Sequence, residues 1–331
     1  MQLLELTDAG LFCPPAGIFI DPWRPVERAV ITHAHSDHAR WGMKHYLAHQ
    51  DSAEVMKLRL GADISLHTLD YQEKLEVNGV KISLHPAGHI PGSAQVRLEY
   101  QGKVAVVSGD YKVENDGLAT PFEPVNCHEF VSECTFGLPI YKWESQAEIF
   151  SQINSWWKEN AAEGRNSVLF AYSLGKAQRI LQNLNREIGE VFVHGAIWNT
   201  NQALMANGIH LWDVPKVTQD IPKNRFKGAL IIAPPSAMGT PWMRRFSPYR
   251  TGICSGWMAV RGTRRRRAAD RGFVLSDHAD WEGLISAISA TGAEKVYLTH
   301  GSTASFGRFL QEEKGIDAVE LQTLFGVEEV E

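Results

Sequence analysis

The sequence is poor in cysteine, close to balanced in charge and without a long apolar run, and each shortage removes a class of protein. Its four cysteines, Cys13, Cys127, Cys134 and Cys254, are too few for a disulfide scaffold at 331 residues and form no Cys-x-x-Cys pair, so a reducing compartment is expected. No window approaches the ~18 apolar residues of a membrane span. The segment from Met1 to Gly17 lacks a basic stretch followed by a long apolar one, so a cytoplasmic protein with no membrane partner is expected. Hydrophobic residues make up 44% of the chain, enough for a real core, which excludes disordered, collagenous and coiled-coil classes. The length allows one large domain or two ordinary ones. A net charge of −5 argues against a polyanionic partner on average, but the average hides a local excess. Nine arginines and one acid, Asp270, lie between Arg244 and Arg271, so that stretch carries +8 and the remainder −13. Nucleic-acid binding, if present, is focused there.

What is present reads as mixed α/β. Short β-branched or alternating runs bounded by Gly, Pro or Asp predict strands over Gly17–Asp21, Arg28–His33, Val80–His85, Ala94–Glu99 and Lys103–Ser108. A capping Ser145 ahead of Glu148, followed by Ile149, Phe150, Ile153 and Trp156 at helical spacing, predicts a helix to Asn160. The strand Ser167–Tyr172, a turn and a helix over Ala177–Ile188 make the building block of a parallel sheet. Further strands are expected over Gly228–Ala233, Gly272–Ser276 and Lys295–Thr299, with a helix over Trp281–Thr291.

The most informative stretch holds His33, His35, Asp37 and His38 within six residues. It begins where a strand ends, so His33 and His35 project the same way by the two-residue period, and the following turn brings Asp37 and His38 round from the other side. A nitrogen-rich set with carboxylates suits zinc, with manganese or iron as alternatives. One loop cannot close two ions, and other strand ends offer more: His89, Asp110 and His300 each follow an apolar run. One such histidine alone would read as a hydrogen-bonded loop residue; four strand ends behaving alike read as a metal centre.

His33-x-His35-x-Asp37-His38, then Gly88-His89, Gly109-Asp110 and a late His300-Gly301, resembles the motifs of the metallo-β-lactamase fold. Asp21 takes the place of that fold's early supporting aspartate. The resemblance implies an αββα sandwich with two divalent ions, one on His33, His35 and His89, the other on Asp37, His38 and His300, with Asp110 bridging. Glu133, His278 and His300 are similar to the additional motifs of the β-CASP nucleases. This implies a compact inserted cap: residues 1–137 and 272–331 would form the metallo-β-lactamase domain, and 138–271 the cap. The segments Asp21–Pro25, Gly109–Val113, Phe136–Tyr141, Ser255–Met258 and Arg264–Trp281 resemble the bacterial exonucleases encoded beside an ATP-dependent DNA ligase. That branch implies a DNA exonuclease in repair, associated with a ligase and a helicase. A histidine at position 300 is typical instead of RNA-processing β-CASP enzymes of the RNase J or 3′-end-processing type.

In such an enzyme His278 would protonate the leaving oxygen while Glu133 holds it, and Asp37 would serve both as ligand and as a catalytic carboxylate. Ser173, Gly175 and Lys176, opening a helix, are candidates to hold a phosphate. Arg264, Arg265, Arg266 and Arg267 are candidates to track a nucleic-acid backbone, with Trp242 and Trp257 as candidate stacking residues. His194, at another strand end, is set aside because it falls in the expected cap. A hydrolase of small esters would share the metal motifs but have little use for the +8 stretch. A non-catalytic binder would be expected to have lost ligands, and none is missing.

Overall fold

The computed structural model of the protein describes residues 3–260 and 269–322. The chain divides into two compact units, one running to Lys142 and resuming at His278, the other spanning Trp143–Asp277.

The first unit carries two sheets. A six-stranded sheet runs in sequence order through β1 (Glu5–Thr7), β2 (Gly10–Cys13), β3 (Ile18–Ile20), β4 (Arg28–Val30), β5 (His45–His49) and β6 (Leu66–Leu69). The second comprises β7 (Lys74–Val77), β8 (Val80–Pro86), β9 (Ala94–Tyr100), β10 (Lys103–Val107), β11 (Glu129–Glu133), β17 (Lys295–Thr299) and β18 (Asp317–Glu320). Its order, β18-β17-β11-β10-β9-β8-β7, joins an antiparallel half, β7 to β10, to a parallel half, β10 to β18.

The two-residue period of these strands sorts their side chains onto two faces. Ala105 and Val107 of β10 and Val131 of β11 join Ile18, Ile20, Val30 and Leu47 of the first sheet in one apolar core. Their neighbours Val106 and Phe130, with Val296 and Leu298, turn to the other face and meet Leu284, Ala287 and Ile288 of the helix Trp281–Thr291 and Phe306 and Leu310 of the helix Thr303–Lys314. Pairing two buried faces in this way leaves the strand ends, where pairing stops, to carry polar side chains.

The second unit is a five-stranded parallel sheet, ordered β13 (Val191–Val193), β14 (Leu230–Ala233), β12 (Asn166–Phe170), β15 (Tyr249–Cys254), β16 (Arg271–Phe273). Parallel sheets need cover on both faces. Leu169, Leu230 and Ile232 pack with Ile149, Ile153, Trp156 and Trp157 of the helix Gln146–Ala162, while Val168, Phe170 and Ile231 pack with Phe226, Phe246 and Met258 on the opposite side. The expected capping box is formed: the Glu148 amide donates to Ser145 Oγ at 3.3 Å, and the Ser145 amide to Glu148 Oε2 at 3.1 Å. The helix expected over Ala177–Ile188 runs Lys176–Asn183, because Leu184 is already extended. Among the described residues, no helix is long and apolar enough to cross a membrane.

Candidate metal centre

The parallel strand β4 delivers Thr32 and His33 to the edge of the first sheet, and β8, β10 and β17 end beside them with the loops that carry His89, Asp110 and His300. Two buried groups lock the first loop. Asp21, in the left-handed region at φ +43° that aspartate tolerates, accepts from the Thr32 amide at 2.8 Å, from Thr32 Oγ1 at 2.5 Å and from His38 Nδ1 at 2.7 Å. Its contact with His38 fixes that ring with Nε2 turned to the other ligands. Gly109 allows the Asp110 loop to approach: at φ +58°, a Cβ there would lie 2.5 Å from Thr32 Oγ1.

The structure brings all seven expected ligands together. His33, His35, His89 and Asp110 offer atoms that all lie within 4.8 Å of one another, as do His33, Asp37 and His38, and again His38, Asp110 and His300. Asp110 Oδ2 is 3.5 Å from His33 Nε2, 3.6 Å from His38 Nε2 and 3.8 Å from His89 Nε2. Asp110 therefore belongs to both halves of the centre. Asp37 reaches His38 Nε2 at 3.6 Å, and none of these three groups contains both Asp37 and His300. A fourth group is Asp110, Glu133 and His278. His278 Nδ1 lies 2.8 and 3.0 Å from the two Glu133 oxygens, and Glu133 also accepts from the Tyr111 amide at 2.9 Å.

The electrostatics follow from packing four carboxylates and six imidazoles out of water. Burial pushes Asp110 up to about 7, against the pull of His38. Burial also opposes charge on His38, but Asp37, Asp110 and Asp21 outweigh it and hold its imidazolium up to about 10. Burial keeps His33 well below the usual imidazole range and His300 down at about 4, so both stay neutral. Glu133 lies below the carboxylate range despite its burial, because His278, Thr135 and the Tyr111 amide stabilise its charge. The carboxylates thus draw positive charge, carried by His38, to a spot where His33 and His300 stay neutral. Buried polar atoms are normally hydrogen-bonded, yet His33 Nε2 and Asp110 Oδ1, both buried, have no hydrogen-bond partner. Imidazole nitrogens and carboxylates with open lone pairs fit a pair of divalent cations.

Other expected site residues lie elsewhere. Arg264 to Arg267 fall outside the described residues. The helix opening at Gly175 is not the open phosphate turn that its sequence suggested. The Gly175 amide donates to Gln178 Oε1 at 2.7 Å, and the Ser173 carbonyl accepts from Gln178 Nε2 at 2.9 Å. Lys176 is buried, with Nζ 3.3 Å from Asp277 Oδ2 and over the Tyr172 ring. Trp242 packs edge-on against Phe246 and His194, Trp257 packs against the same apolar face of the sheet, and His194 caps the helix Gly195–Ala206 through the Ala196 amide. Thr32 was missed by sequence reasoning; its one signal is a hydroxyl at the strand end directly before the first ligand.

No family model matches the chain. Over 311 residues it is 31% identical to a probable DNA ligase from Opitutus terrae, covering 93% of this chain and 30% of that protein. Over 164 residues it is 29% identical to endoribonuclease YSH1 from Yarrowia lipolytica, covering 46% of this chain and 19% of that one. The chain thus spans less than a third of the length of either relative. The crystal structure of a protein of unknown function from Enterococcus faecalis V583 has a similar fold, with a TM-score of 0.61 at 11% identity over 90% of this chain and 80% of that one.

Proposed function

The chain is a relative of the β-CASP nucleases of the metallo-β-lactamase fold, and we propose that it is a metal-dependent phosphodiesterase, a DNA exonuclease that works alongside a DNA ligase in repair. One observation carries this reading: seven histidines and aspartates from four strand ends come together, five of the histidines around Asp110, with the His278–Glu133 pair against the same carboxylate. In this reading the sheets of the first unit are the αββα sandwich and the second unit is the β-CASP cap.

His33, His35 and His89 would hold one divalent ion, zinc or alternatively manganese or iron, and Asp37, His38 and His300 the other, with Asp110 touching both. Such a pair, when bound, supplies a water of low pKa and neutralises phosphoryl oxygens. The chain's own part is positional and acid–base. Asp21 fixes the His38 ring through Nδ1. Glu133 stays ionised and accepts a hydrogen bond from Nδ1–H of His278, which orients the imidazolium so that Nε2–H can deliver its proton to the leaving oxygen.

The relation to a ligase-named protein across 93% of this chain supports DNA as substrate and a ligase as functional partner, with a helicase as the further associate that the branch resemblance implies. The run Arg264–Arg267 supplies local positive charge for the backbone. His300 within the centre and the relation to an endoribonuclease favour a second reading, an RNA-processing enzyme. Purified protein incubated with 5′- and 3′-labelled DNA and RNA, single- and double-stranded, with and without chelator, separates them. The DNA reading expects chelator-sensitive release of nucleotides from DNA ends. Faster degradation of matched RNA would replace it with the second reading, and the absence of any cleavage would overturn both.

A further inference from the structure

Trp41 is the most exposed large hydrophobic side chain among the described residues, at 76% exposure. An indole left in water is unusual: most of the ten tryptophans here are at least half-buried. It is not exposed because its loop is loose. Arg40 Nε donates to the Asp37 carbonyl at 3.0 Å, Tyr46 Oη donates to the Arg40 carbonyl at 2.9 Å, and the Met43 amide donates to Tyr46 Oη at 3.0 Å. Gly42, at φ +103°, packs so closely that a Cβ there would lie 3.2 Å from Pro25 Cγ. The two side chains flanking the segment, Ala39 and Met43, are buried. A rigid turn therefore holds the indole outward, and its ring meets no aromatic partner and no overlying cation among the described residues.

The turn is also part of the metal loop. Arg40 is tied to the backbone of Asp37, and Trp41 follows His38 by three residues, so their Cα atoms are at most about 11 Å apart. A flat, solvent-facing π surface on a braced loop beside a phosphodiester-cleaving centre matches what base stacking needs: every base has a π face, and the platform loses little entropy on contact because it is already fixed. We propose that Trp41 stacks on a base next to the scissile phosphate and so positions the strand at the centre. This rests on the nuclease reading above.

The test is binding of a fluorescein-labelled single-stranded DNA oligonucleotide with a phosphorothioate backbone, read by anisotropy, for the wild type, Trp41→Ala and Trp41→Phe. Stacking predicts about 10-fold weaker binding by Trp41→Ala and largely restored binding by Trp41→Phe. Removing bases one position at a time sharpens it. At one position the abasic oligonucleotide should bind wild type and Trp41→Ala equally, because the contact is already gone. Unchanged Tm and metal content in Trp41→Ala would assign the loss to the missing ring. Binding by Trp41→Ala within two-fold of wild type, or a loss that no abasic position abolishes, overturns the proposal. Hydrolysis of methyl p-nitrophenyl phosphate by the wild type monitors the underlying reading: if neither it nor an ordinary oligonucleotide is cleaved, the nuclease assignment fails, and not the stacking proposal alone.

Discussion

Two clusters of buried polar side chains, one in each unit, differ in how their hydrogen bonds close. In the second unit Lys176, Arg179 and Asp277 are all nearly inaccessible to solvent, and they satisfy one another. Lys176 Nζ and Arg179 Nη1 sit 3.3 Å from opposite oxygens of Asp277, while Arg179 also donates to Gln146 Oε1 at 2.5 Å and the Ser276 carbonyl at 2.6 Å. In the first unit the ligand cluster leaves His33 Nε2 and Asp110 Oδ1 buried without partners. Burying an unpartnered acceptor costs ~1–3 kcal/mol, so a fold keeps such atoms only where something repays the cost. Here the closed network reads as a structural element, and the open atoms, set among imidazole and carboxylate ligands, read as a ligand site. That distinction corrects the reading of Lys176 as a phosphate ligand and leaves Asp110 at the middle of the chemistry.

The comparison breaks most readily at Asp110. Asp110→Ala removes the one carboxylate shared by two of the three ligand groups, and phosphodiester cleavage should fall to background, with bound metal measured by mass spectrometry dropping at both positions. Full activity in a demonstrably metal-free Asp110→Ala preparation would show that the open atoms mark no metal centre. His278→Ala should have the next largest effect, a ~10²–10⁴-fold loss of turnover with metal content near wild type, because a general acid acts without binding an ion. A substrate with a good leaving group should recover much of that loss. If it is cleaved no better, relative to wild type, than an ordinary diester, His278 is not the proton donor.

The open cluster was the more legible of the two, for a physical reason. Four of its side chains lie within six residues, and the strand period alone points His33 and His35 the same way. The other ligands repeat one local pattern, an apolar strand followed by a ligand. The Glu133–His278 contact spans 145 residues and became visible only through family resemblance. Lys176 was misread because its sequence displays a charge beside a helix start, while its partner Asp277 lies far along the chain. The helix Gly195–Ala206 escaped notice although its buried positions Ile197, Thr200, Asn201 and Leu204 keep helical spacing. Two of the four are polar, so there was no hydrophobic period to see. The strand Tyr249–Cys254 is broken in sequence by Arg250, Thr251 and Gly252; what makes it a strand is parallel pairing to Asn166–Phe170, which is tertiary information.

The closed cluster gives the prediction with the smallest effect on the metal centre and the most direct bearing on the contrast. Asp277→Asn removes a carboxylate that faces both Lys176 and Arg179 at 3.3 Å and leaves two buried cations without it. Breaking a buried pair from one side costs about 3–5 kcal/mol, so the denaturant midpoint should fall substantially while metal content stays at the wild-type level. Lys176→Met should cost far less. Methionine fills a similar volume, and the surviving Arg179–Asp277 pair leaves one cation facing one carboxylate, so no buried charge is stranded. The asymmetry between the two variants, read in denaturant titrations of the full chain, is the signature of a structural network. A different result would revive the phosphate role: if Lys176→Met is as stable as wild type but binds DNA more weakly, with a shallower dependence of log affinity on log salt, then its ammonium contacts the backbone. In that case closure of the hydrogen bonds would have failed as the criterion separating the two clusters.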